Sequence, residues 1–421
     1  MTVLVIGSGG REHAIVRALA QSQKVKKIYA VPGNGGMAQL VECVPIKATQ
    51  LEEIRDFAVA NGVDFAIPAA DDQLVAGAVD ILEKEGIPCF GPNKAAAQIE
   101  GSKVFSKDLM RKYNIPTAGY EVFDDAEKAI AYLEKYETYP VVIKADGLAL
   151  GKGVIIAENK AQAQAAVREM MLEGKFGASG NQVVVEEFLT GPEVSVLAFA
   201  DGKTVVPMVS SMDHKRAHDN DQGLNTGGMG TIAPNPYYTP EIAAWCEEHV
   251  FVPTIRAMQS ENAPFKGCLY FGLMLTPNGP KVIEYNCRFG DPEAQVVLPL
   301  LATDLMEVFE AVHGGSLAQL NIKWKNEHAC CVIIASGGYP ESYTTGHEIT
   351  FGNMGDAMAF HAGTRLEQDK IVTAGGRVLG VTAIGANLKE AMNKAYAATG
   401  NVAFEGGFYR TDIGQRALKA L

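Results

Sequence analysis

The chain has 421 residues and a formal net charge of −12; hydrophobic residues make up 47% of it and charged residues 20%. This composition excludes a largely disordered protein, and the negative charge disfavours general nucleic-acid binding. The chain contains no apolar run of about 18 residues, so no membrane span is expected. Seven scattered cysteines without a CxxC pair indicate neither a disulfide framework nor a zinc site. Because MTVLVIGSGGREHA also lacks signal-peptide features, we expect a cytoplasmic protein of about two to four domains.

The N-terminal segment alternates strand-like and helical patterns. TVLVI, KKIYAVPGN and DFAIPA are strand-like, with helical patterns between them, which predicts an open, parallel, doubly wound sheet. Gly7 and Gly9 allow a tight turn before a helix whose N-terminus can hold an anion. The nicotinamide fingerprint fails because Glu12 stands where its third glycine belongs. Two interpretations remain: a structural turn, or a site for a phosphate-bearing substrate near Arg11 and His13.

A second glycine-rich segment, VVIKADGLALGKGVII, is not a Walker A loop. Gly147 and Gly151 have three residues between them instead of four, and Gly153 follows Lys152. The pattern predicts a strand–turn–strand hairpin that can close over a triphosphate through Lys152 and backbone N–H groups. Lys144 lies within the first strand, where an unpaired ammonium is costly. The alternatives are a structural salt bridge for Lys144 and a solvated charge for Lys152.

The segment QVVVEEFLTGPEVSV predicts a buried strand, a bend and another strand. Glu186 and Glu187 end the first strand, and Glu193 begins the second. The backbone groups exposed at such a bend can bind an adenine, and Glu193 can accept hydrogen bonds from ribose hydroxyls. The alternative is a surface turn with solvated acids.

The segment IEYNCRFGDPEAQ places many polar groups at the end of a predicted strand. Strand alternation puts Glu284 and Asn286 on one face and Ile283 and Tyr285 on the other, with Arg288 on the same parity as Glu284. Two oxygen ligands suit Mg²⁺, which keeps waters and phosphate oxygens in its other positions. An arginine beside them can stabilise charge during phosphoryl transfer. The alternative is a pair of polar residues on a solvent face.

The segment SMDHKRAHDNDQGLNTGGMGTIAPNP combines charge with glycine, which favours a binding loop over a solvated surface. Paired donors there can hold a phosphate or a carboxylate. His214 can equally be a plain surface histidine, and no metal spacing such as HxxxH is present. The candidate residues are Asp213, His214, Lys215, Arg216, Gly227, Gly228 and Gly230.

The order strand-Lys, glycine hairpin, Glu-Glu bend and strand-Glu-x-Asn resembles the ATP-grasp enzymes. Over nearly its whole length the chain is similar to the phosphoribosylamine–glycine ligase family. The motifs that carry this resemblance are VLVIGSGGREHA, GPNKAAAQIEGSK, IKADGLALGKGV, DHKRAHDNDQGLNTGGMG, IEYNCRFGDPEAQ, FHAGT and GGRVLGVTA. NTGGMG and RFGDPE are the most specific of them.

The resemblance implies that ATP and Mg²⁺ (or Mn²⁺) drive ligation of glycine to 5-phosphoribosylamine through glycyl phosphate. It implies catalytic roles for Lys103, Lys144 and Arg288, and Mg²⁺ binding by Glu284 and Asn286. ATP would be held by Lys103, Lys144, Gly151, Lys152, Gly153, Glu186, Glu187, Phe188 and Glu193. The other substrates would be held by Gly9, Gly10, Asp213, His214, Lys215, Arg216, Gly227, Gly228, Met229, Gly230, Arg288, Gly290 and Asp291.

The family also implies the architecture: a multidomain α/β and α+β protein. An N-terminal open parallel-sheet domain would span 1–101, and a central ATP-grasp body 102–122 and 190–325. A small ATP-grasp lid would span 123–189, and a C-terminal β-rich domain 326–421. We expect a monomer or weak homodimer that engages neither nucleic acid nor a membrane.

One segment departs from the family pattern. Where the family has a Gly-Pro-Glu-Ala-Pro-Leu-type segment, this chain has PAADDQL, 68–74. Either Asp71 or Asp72 replaces the glutamate, or the contact is absent. Two other readings of the whole chain therefore stay open: an ATP-grasp ligase or carboxylase with a different acceptor, and a catalytically silent nucleotide-binding protein.

Overall fold

The computed structural model describes residues 1–148, 153–173 and 177–421. The candidate residues Gly151 and Lys152 lie outside this described part. None of the helices within it is both long and apolar enough to cross a membrane.

The N-terminal region is a parallel sheet with strand order β3-β2-β1-β4, as the alternating pattern predicts. Its strands are rich in valine and isoleucine, and β1 is buried from its second residue onward. A hydroxyl cap starts the last helix, because Ser102 Oγ accepts from Phe105 N at 3.0 Å. The elements are β1 (Thr2–Gly7), α1 (Gly10–Leu19), β2 (Lys27–Pro32), β3 (Glu42–Cys43), α2 (Leu51–Ala60), β4 (Phe65–Pro68), α3 (Asp71–Ala76), α4 (Ala78–Lys84), α5 (Gln98–Gly101) and α6 (Lys103–Lys112).

The following region, the lid, is an antiparallel sheet of order β5-β8-β6-β7 with two helices packed on it through a separate apolar core. Each helix begins at a capping side chain, Asp125 for the first and Asn159 for the second. The elements are β5 (Tyr120–Phe123), α7 (Ala126–Lys135), β6 (Val141–Ala145), β7 (Val154–Ala157), α8 (Lys160–Met171) and β8 (Val183–Glu187).

The central body is built on an antiparallel sheet of order β10-β9-β15-β16. Strand β15 is buried over most of its length and joins β9 to β16, the strand that carries the predicted metal ligands. The elements are β9 (Glu193–Asp201), β10 (Val205–Pro207), β11 (Met212–Asp213), β12 (Arg216–His218), β13 (Gln222–Asn225), β14 (Gly230–Ala233), α9 (Pro240–Cys246), α10 (Val252–Ser260), β15 (Lys266–Thr276), β16 (Gly279–Asn286), α11 (Ala294–Leu300) and α12 (Leu305–Gly314).

The C-terminal region completes its antiparallel sheet with two strands from the body, in the order β11-β14-β17-β22-β19. It also contacts the N-terminal region, because His361 N donates to His13 Nδ1 at 2.8 Å. The elements are β17 (His328–Ala335), β18 (Thr350–Phe351), β19 (Met358–His361), β20 (Thr364–Glu367), β21 (Lys370–Thr373), β22 (Arg377–Gly385), α13 (Leu388–Thr399), β23 (Val402–Ala403) and α14 (Gln415–Leu418). The predicted fold class, with its parallel sheet, central body and C-terminal antiparallel sheet, is confirmed.

Candidate functional site

The polar side chains at the end of β16 lie as predicted, but a bulge in the strand sets their positions. The ladder between β15 and β16 shifts register after Glu284, so that Val282 pairs with Leu273 and Glu284 with Gly272. This bulge puts Val282 in the core beside Tyr285 and leaves Glu284 exposed. The prediction that Ile283 shares a face with Tyr285 is therefore wrong, because Val282 packs beside Tyr285 instead.

Glu284 has room in front of β15 because its neighbour is a glycine. A Cβ atom at Gly272 would lie 3.2 Å from Glu284 Cγ. Asn286 Oδ1 accepts from Arg288 Nη2 at 3.0 Å, so amide and guanidinium lie together. No group of three or more His, Cys, Asp or Glu side chains suited to a metal ion occurs in the described ranges. A carboxylate and an amide fit a cation that takes its remaining ligands from phosphate and water.

Two buried lysines share one buried carboxylate across the lid. Lys107 Nζ and Lys144 Nζ each lie 3.0 Å from Glu186 Oε2, so the salt bridge considered for Lys144 is present. Lys144 Nζ also donates to the carbonyl of Ile283, at 3.3 Å, next to Glu284. Burial lowers the pKa of Lys107 to about 8 despite the opposing charge of Glu186.

Lys107, Lys144 and Glu186 together carry a net positive charge. Burial raises the pKa of Glu186, but Lys144 and Lys107 outweigh it and hold the pKa below its ordinary value. Glu186 is thus ionised, and its Oε2 is shared by the two lysines, while its backbone lies in β8 between β5 and β6. Lys107 was not predicted, although it lies one helical turn after Lys103 on α6.

Lys103 joins α6 to the lid. Its Nζ donates to the carbonyl of Gly147 at 2.6 Å, and Asp146 Oδ1 accepts from Val104 N at 3.1 Å. Burial lowers the pKa of Lys103, and the nearby Glu284 opposes that shift. Gly153 O accepts from Ala145 N at 2.8 Å. We call Lys103, Lys107, Lys144 and Glu186 the lysine cluster.

The bend after β8 separates side chains that the sequence grouped together. Glu187 points outward, with its Oε2 3.2 Å from Lys281 Nζ and 3.2 Å from Gly119 N. Phe188 is half-buried in the bend. Glu193 is solvent-accessible, yet the surrounding protein atoms raise its pKa while Lys215 opposes the shift.

A second cluster pairs each cation with a carboxylate. Arg288 Nη2 lies 2.9 Å from Glu100 Oε1, and Cys287 N donates to Glu100 Oε2 at 2.6 Å. Lys215 Nζ lies 2.8 Å from Asp213 Oδ2. Burial lowers the pKa of Lys215, but Asp213 together with Tyr270, Glu293 and Glu284 outweighs it and raises the pKa well above its ordinary value. Arg377 Nη2 lies 3.4 Å from Asp291 Oδ1, and we call these three ion pairs, of Arg288, Lys215 and Arg377, the arginine cluster.

Three of the predicted substrate-binding residues are packed within the protein. His214 is buried: its Nδ1 lies 3.1 Å from Gly230 O, and its Nε2 accepts from Gly414 N at 3.2 Å. Burial lowers its pKa, so it is neutral, and the alternative of a surface histidine is wrong. The Met229 side chain is fully buried. At Gly230 a Cβ would lie 2.7 Å from Cys331 O, because β14 pairs with β17 there.

The glycine turn before α1 holds a carboxylate of the protein itself. Asp291 Oδ2 accepts from Arg11 N at 3.2 Å, and Gln295 Nε2 donates to Asp291 Oδ1 at 2.8 Å. A Cβ at Gly10 would collide with Gln295, and Gly9 N donates to Glu12 Oε2 at 2.6 Å. A carboxylate of the protein thus lies beside the turn at which a substrate anion is predicted.

Other predicted residues lie at the border of the arginine cluster. A Cβ at Gly290 would collide with Glu293, and one at Gly228 would lie 2.6 Å from Asp213 Oδ1. Arg216 Nη1 donates to Gly223 O at 2.8 Å within its own hairpin. Close packing thus explains the glycines.

The segment PAADDQL, 68–74, which departs from the family pattern, contributes one acidic residue to the arginine cluster. Burial lowers the pKa of the Arg288 guanidinium, and Glu100 raises it. Asp71 lies close enough to raise this pKa further. Asp72 Oδ1 instead accepts from Gln73 N at 2.9 Å. Asp71, Glu100 and Arg377 were not predicted, although Glu100 lies in the EGSK motif and Arg377 in the GGRVLGVTA motif.

Three family models match consecutive parts of the chain. They describe the phosphoribosylglycinamide synthetase N domain at residues 1–100, the ATP-grasp (A) domain at 101–294 and the C domain at 329–416.

Curated relatives match along their full length. A phosphoribosylamine–glycine ligase of Caldanaerobacter subterraneus is 49% identical over 98% of this chain and 99% of the relative. The ligase of Clostridium acetobutylicum is 46% identical over 99% of this chain and 100% of the relative.

Solved structures agree with these matches. The crystal structure of the Thermotoga maritima phosphoribosylamine–glycine ligase has a TM-score of 0.86 and 34% identity, covering 98% of this chain and 100% of that one. A Campylobacter jejuni biotin carboxylase, with a TM-score of 0.76 and 16% identity over 97% of this chain and 92% of that one, shares the fold. The chain belongs to the phosphoribosylglycinamide synthetase family.

Proposed function

We propose that this protein ligates glycine to 5-phosphoribosylamine at the expense of ATP, giving glycinamide ribonucleotide, ADP and phosphate. The observation that carries the proposal is the position of Glu284 and Asn286 between two sets of cations. The lysine cluster lies on one side, where Lys144 bonds to the neighbouring carbonyl of Ile283. Arg288 lies on the other, bonded to Asn286.

The reaction has two steps. A glycine carboxylate oxygen attacks the γ-phosphorus of ATP, the bond to the β-phosphate oxygen breaks, and glycyl phosphate and ADP form. The amine of phosphoribosylamine then attacks the acyl carbon, loses a proton and displaces phosphate. Neither step requires a covalent bond to the protein, so positioning and charge neutralisation supply the catalysis.

The named side chains divide this work. Lys103 and Lys144 neutralise the phosphate tail, while the backbone at Glu186 to Phe188 holds adenine and Glu193 holds the ribose. Arg288 stabilises the charge on the transferred phosphoryl group and the acyl phosphate. Lys215 and the turn at Gly227 and Gly228 border the second substrate.

Glu284 and Asn286 would hold a divalent cation, which would supply positive charge to neutralise the phosphate oxygens. Their hard oxygen donors favour Mg²⁺ and also accept Mn²⁺. The geometry at β16 supports this assignment because Glu284 is exposed and not committed to the core.

The test is an ADP-release assay with freshly generated phosphoribosylamine. We expect release that requires glycine and the amine together, with glycinamide ribonucleotide identified by mass spectrometry. Alternative amines and bicarbonate are assayed in parallel, because Asp71 distinguishes this chain from the family pattern. ADP release with another acceptor but not with this pair would establish a different ATP-grasp activity, and nucleotide binding without ADP release would establish a silent binding protein.

The remaining assignments are proposals about the protein in solution. We propose a cytoplasmic monomer or weak homodimer that binds small molecules rather than nucleic acid or membranes. Sedimentation velocity over a range of concentrations tests the oligomeric state.

A further inference from the structure

A joint between three regions surrounds Asp291. Its carboxylate accepts from Arg11 N of the N-terminal region at 3.2 Å and from Gln295 of the body at 2.8 Å. Arg377 of the C-terminal region lies against it, with Nη2 3.4 Å from Asp291 Oδ1. Burial raises the pKa of Asp291, but Arg377 and Arg11 outweigh it, so the carboxylate is ionised.

Arg377 is the member of this joint that also reaches the glycine turn. Its Nη1 lies 2.7 Å from Asp291 O, 2.9 Å from Gly227 O and 3.4 Å from Gly228 O. A Cβ at Gly227 would lie 2.9 Å from the Arg377 Cζ atom, so the turn packs directly on the guanidinium. A planar guanidinium with several N–H donors can bridge these separate carbonyls, and a lysine cannot do so in the same geometry.

The segments that Arg377 joins carry the arginine cluster. The turn at Gly228 packs on Asp213, and Asp213 pairs with Lys215. On the other side, Asp291 follows Arg288 by three residues. The bonds of Arg377 thus reach the segments that border the second substrate, whereas the lysine cluster is held by α6 and the lid.

We propose that Arg377 is a positioning residue that holds the Gly227–Gly228 turn and Asp291 in the arrangement needed to bind phosphoribosylamine. The inference rests on the proposed function. It assigns to the C-terminal region control over the second half-reaction, and leaves ATP binding to the lysine cluster.

The test compares Arg377→Ala and Arg377→Lys with Arg365→Ala. Arg365 is a matched control because it is in the same region and pairs with the exposed Glu367. For Arg377→Ala we expect the KM for phosphoribosylamine to rise about tenfold or more, while the Kd for ATP stays within about twofold. Guanidinium ion added to the alanine variant restores part of the loss, and lysine restores less than arginine.

The outcomes separate the inference from the function on which it rests. If the wild-type protein shows no ADP release dependent on glycine and the amine, the proposed function fails. If it does, but Arg377→Ala leaves the KM for the amine unchanged or weakens ATP binding equally, the positioning role fails. If the alanine variant does not fold, the same KM and Kd measurements on Arg377→Lys decide.

Discussion

The lysine cluster and the arginine cluster lie on the two sides of Glu284 and differ in how their positive charges are balanced. In the lysine cluster, Lys107 and Lys144 share Glu186, and Lys103 bonds to a carbonyl. In the arginine cluster, each cation has its own carboxylate. These pairs are Arg288 with Glu100, Arg377 with Asp291 and Lys215 with Asp213.

The difference indicates how each side recognises its ligand. An excess of buried positive charge is costly until a polyanion neutralises it, so the lysine cluster is suited to a triphosphate. A cluster whose charges are already paired offers little net attraction and must recognise its ligand by the position of its donors. We therefore expect changes on the lysine side to alter charge and proton balance, and changes on the arginine side to alter geometry.

The largest expected effect comes from Glu284, which lies between the clusters. Glu284→Gln should lower kcat by roughly 10²–10³-fold, because the divalent cation loses a charged ligand beside the phosphates. The melting temperature should stay unchanged, since the side chain is exposed. Steady-state ADP release measures the rate, and Glu121→Gln, at another exposed strand position, is the control. A near-normal rate in Glu284→Gln would remove the metal assignment.

The next largest effect tests whether the arginine cluster depends on its pairing. Glu100→Ala leaves the half-buried Arg288 without its carboxylate and should lower the free energy of unfolding by roughly 2–3 kcal/mol, a value reduced for the partial exposure of Arg288. Urea denaturation measures it. The exposed pair of Lys370 and Glu348 is the control, since Glu348→Ala should cost under about 1 kcal/mol. Equal losses in the two variants would mean that the buried pair has no special role.

Acid should act on the contact between the N-terminal and C-terminal regions rather than on the lysine side. Burial lowers the pKa of His13 to about 3 and of His361 to about 4, so folding favours their neutral forms. Below about pH 6.5 the unfolded chain binds more protons, and stability should fall by about 1.4 kcal/mol per pH unit for each histidine.

The matched variant for this acid effect is His13→Asn, which keeps an acceptor for the His361 N–H group. Urea denaturation from pH 7 down to pH 4.5 should show a smaller slope in this variant. An unchanged slope would mean that His13 is not neutral in the folded protein.

The smallest effect is a proton taken up on the lysine side. Because the pKa of Lys107 is about 8, the amine is about half protonated at pH 8, and a bound triphosphate favours the charged form. Calorimetry of MgATP binding in buffers of different ionisation enthalpy should show uptake of up to about 0.5 proton at pH 8 and little at pH 6.5. Lys107→Met should remove this uptake, and Lys112→Met on the same helix should not. Uptake that persists in Lys107→Met would place the titrating group elsewhere.

Much of the architecture was predictable because its signals are local. The period of two at the end of β16 and the alternation of strands and helices in the N-terminal region depend on neighbours in the chain. The predicted family is confirmed. It could be predicted from the sequence because long motifs such as NTGGMG and RFGDPE are specific in themselves. The roles of the individual site residues remain predictions that the variants above test.

The burial of several candidate residues has a common physical cause. His214, Met229 and Gly230 lie in a charged, glycine-rich segment, yet segments about a hundred or more residues later in the chain cover it: Gly414 N donates to His214, Ile333 N donates to Met229 O, and Gly230 pairs with β17. Asp291 is acidic and close to Arg288, yet its carboxylate serves the N-terminus of α1. The spacing of residues within a segment does not indicate which distant segment will cover it.

The sequence alone determined the fold class, the family and the presence of a carboxylate and an amide on one face of β16, since backbone periodicity and turn chemistry are local properties. Tertiary structure decided which charges meet: that Lys107 joins Lys144 at Glu186, that Arg288 pairs with Glu100, and that Arg377 reaches the glycine turn. Ion pairs and hydrogen bonds depend on distances of a few ångströms between residues far apart in the chain, and only the packing of the regions sets those distances.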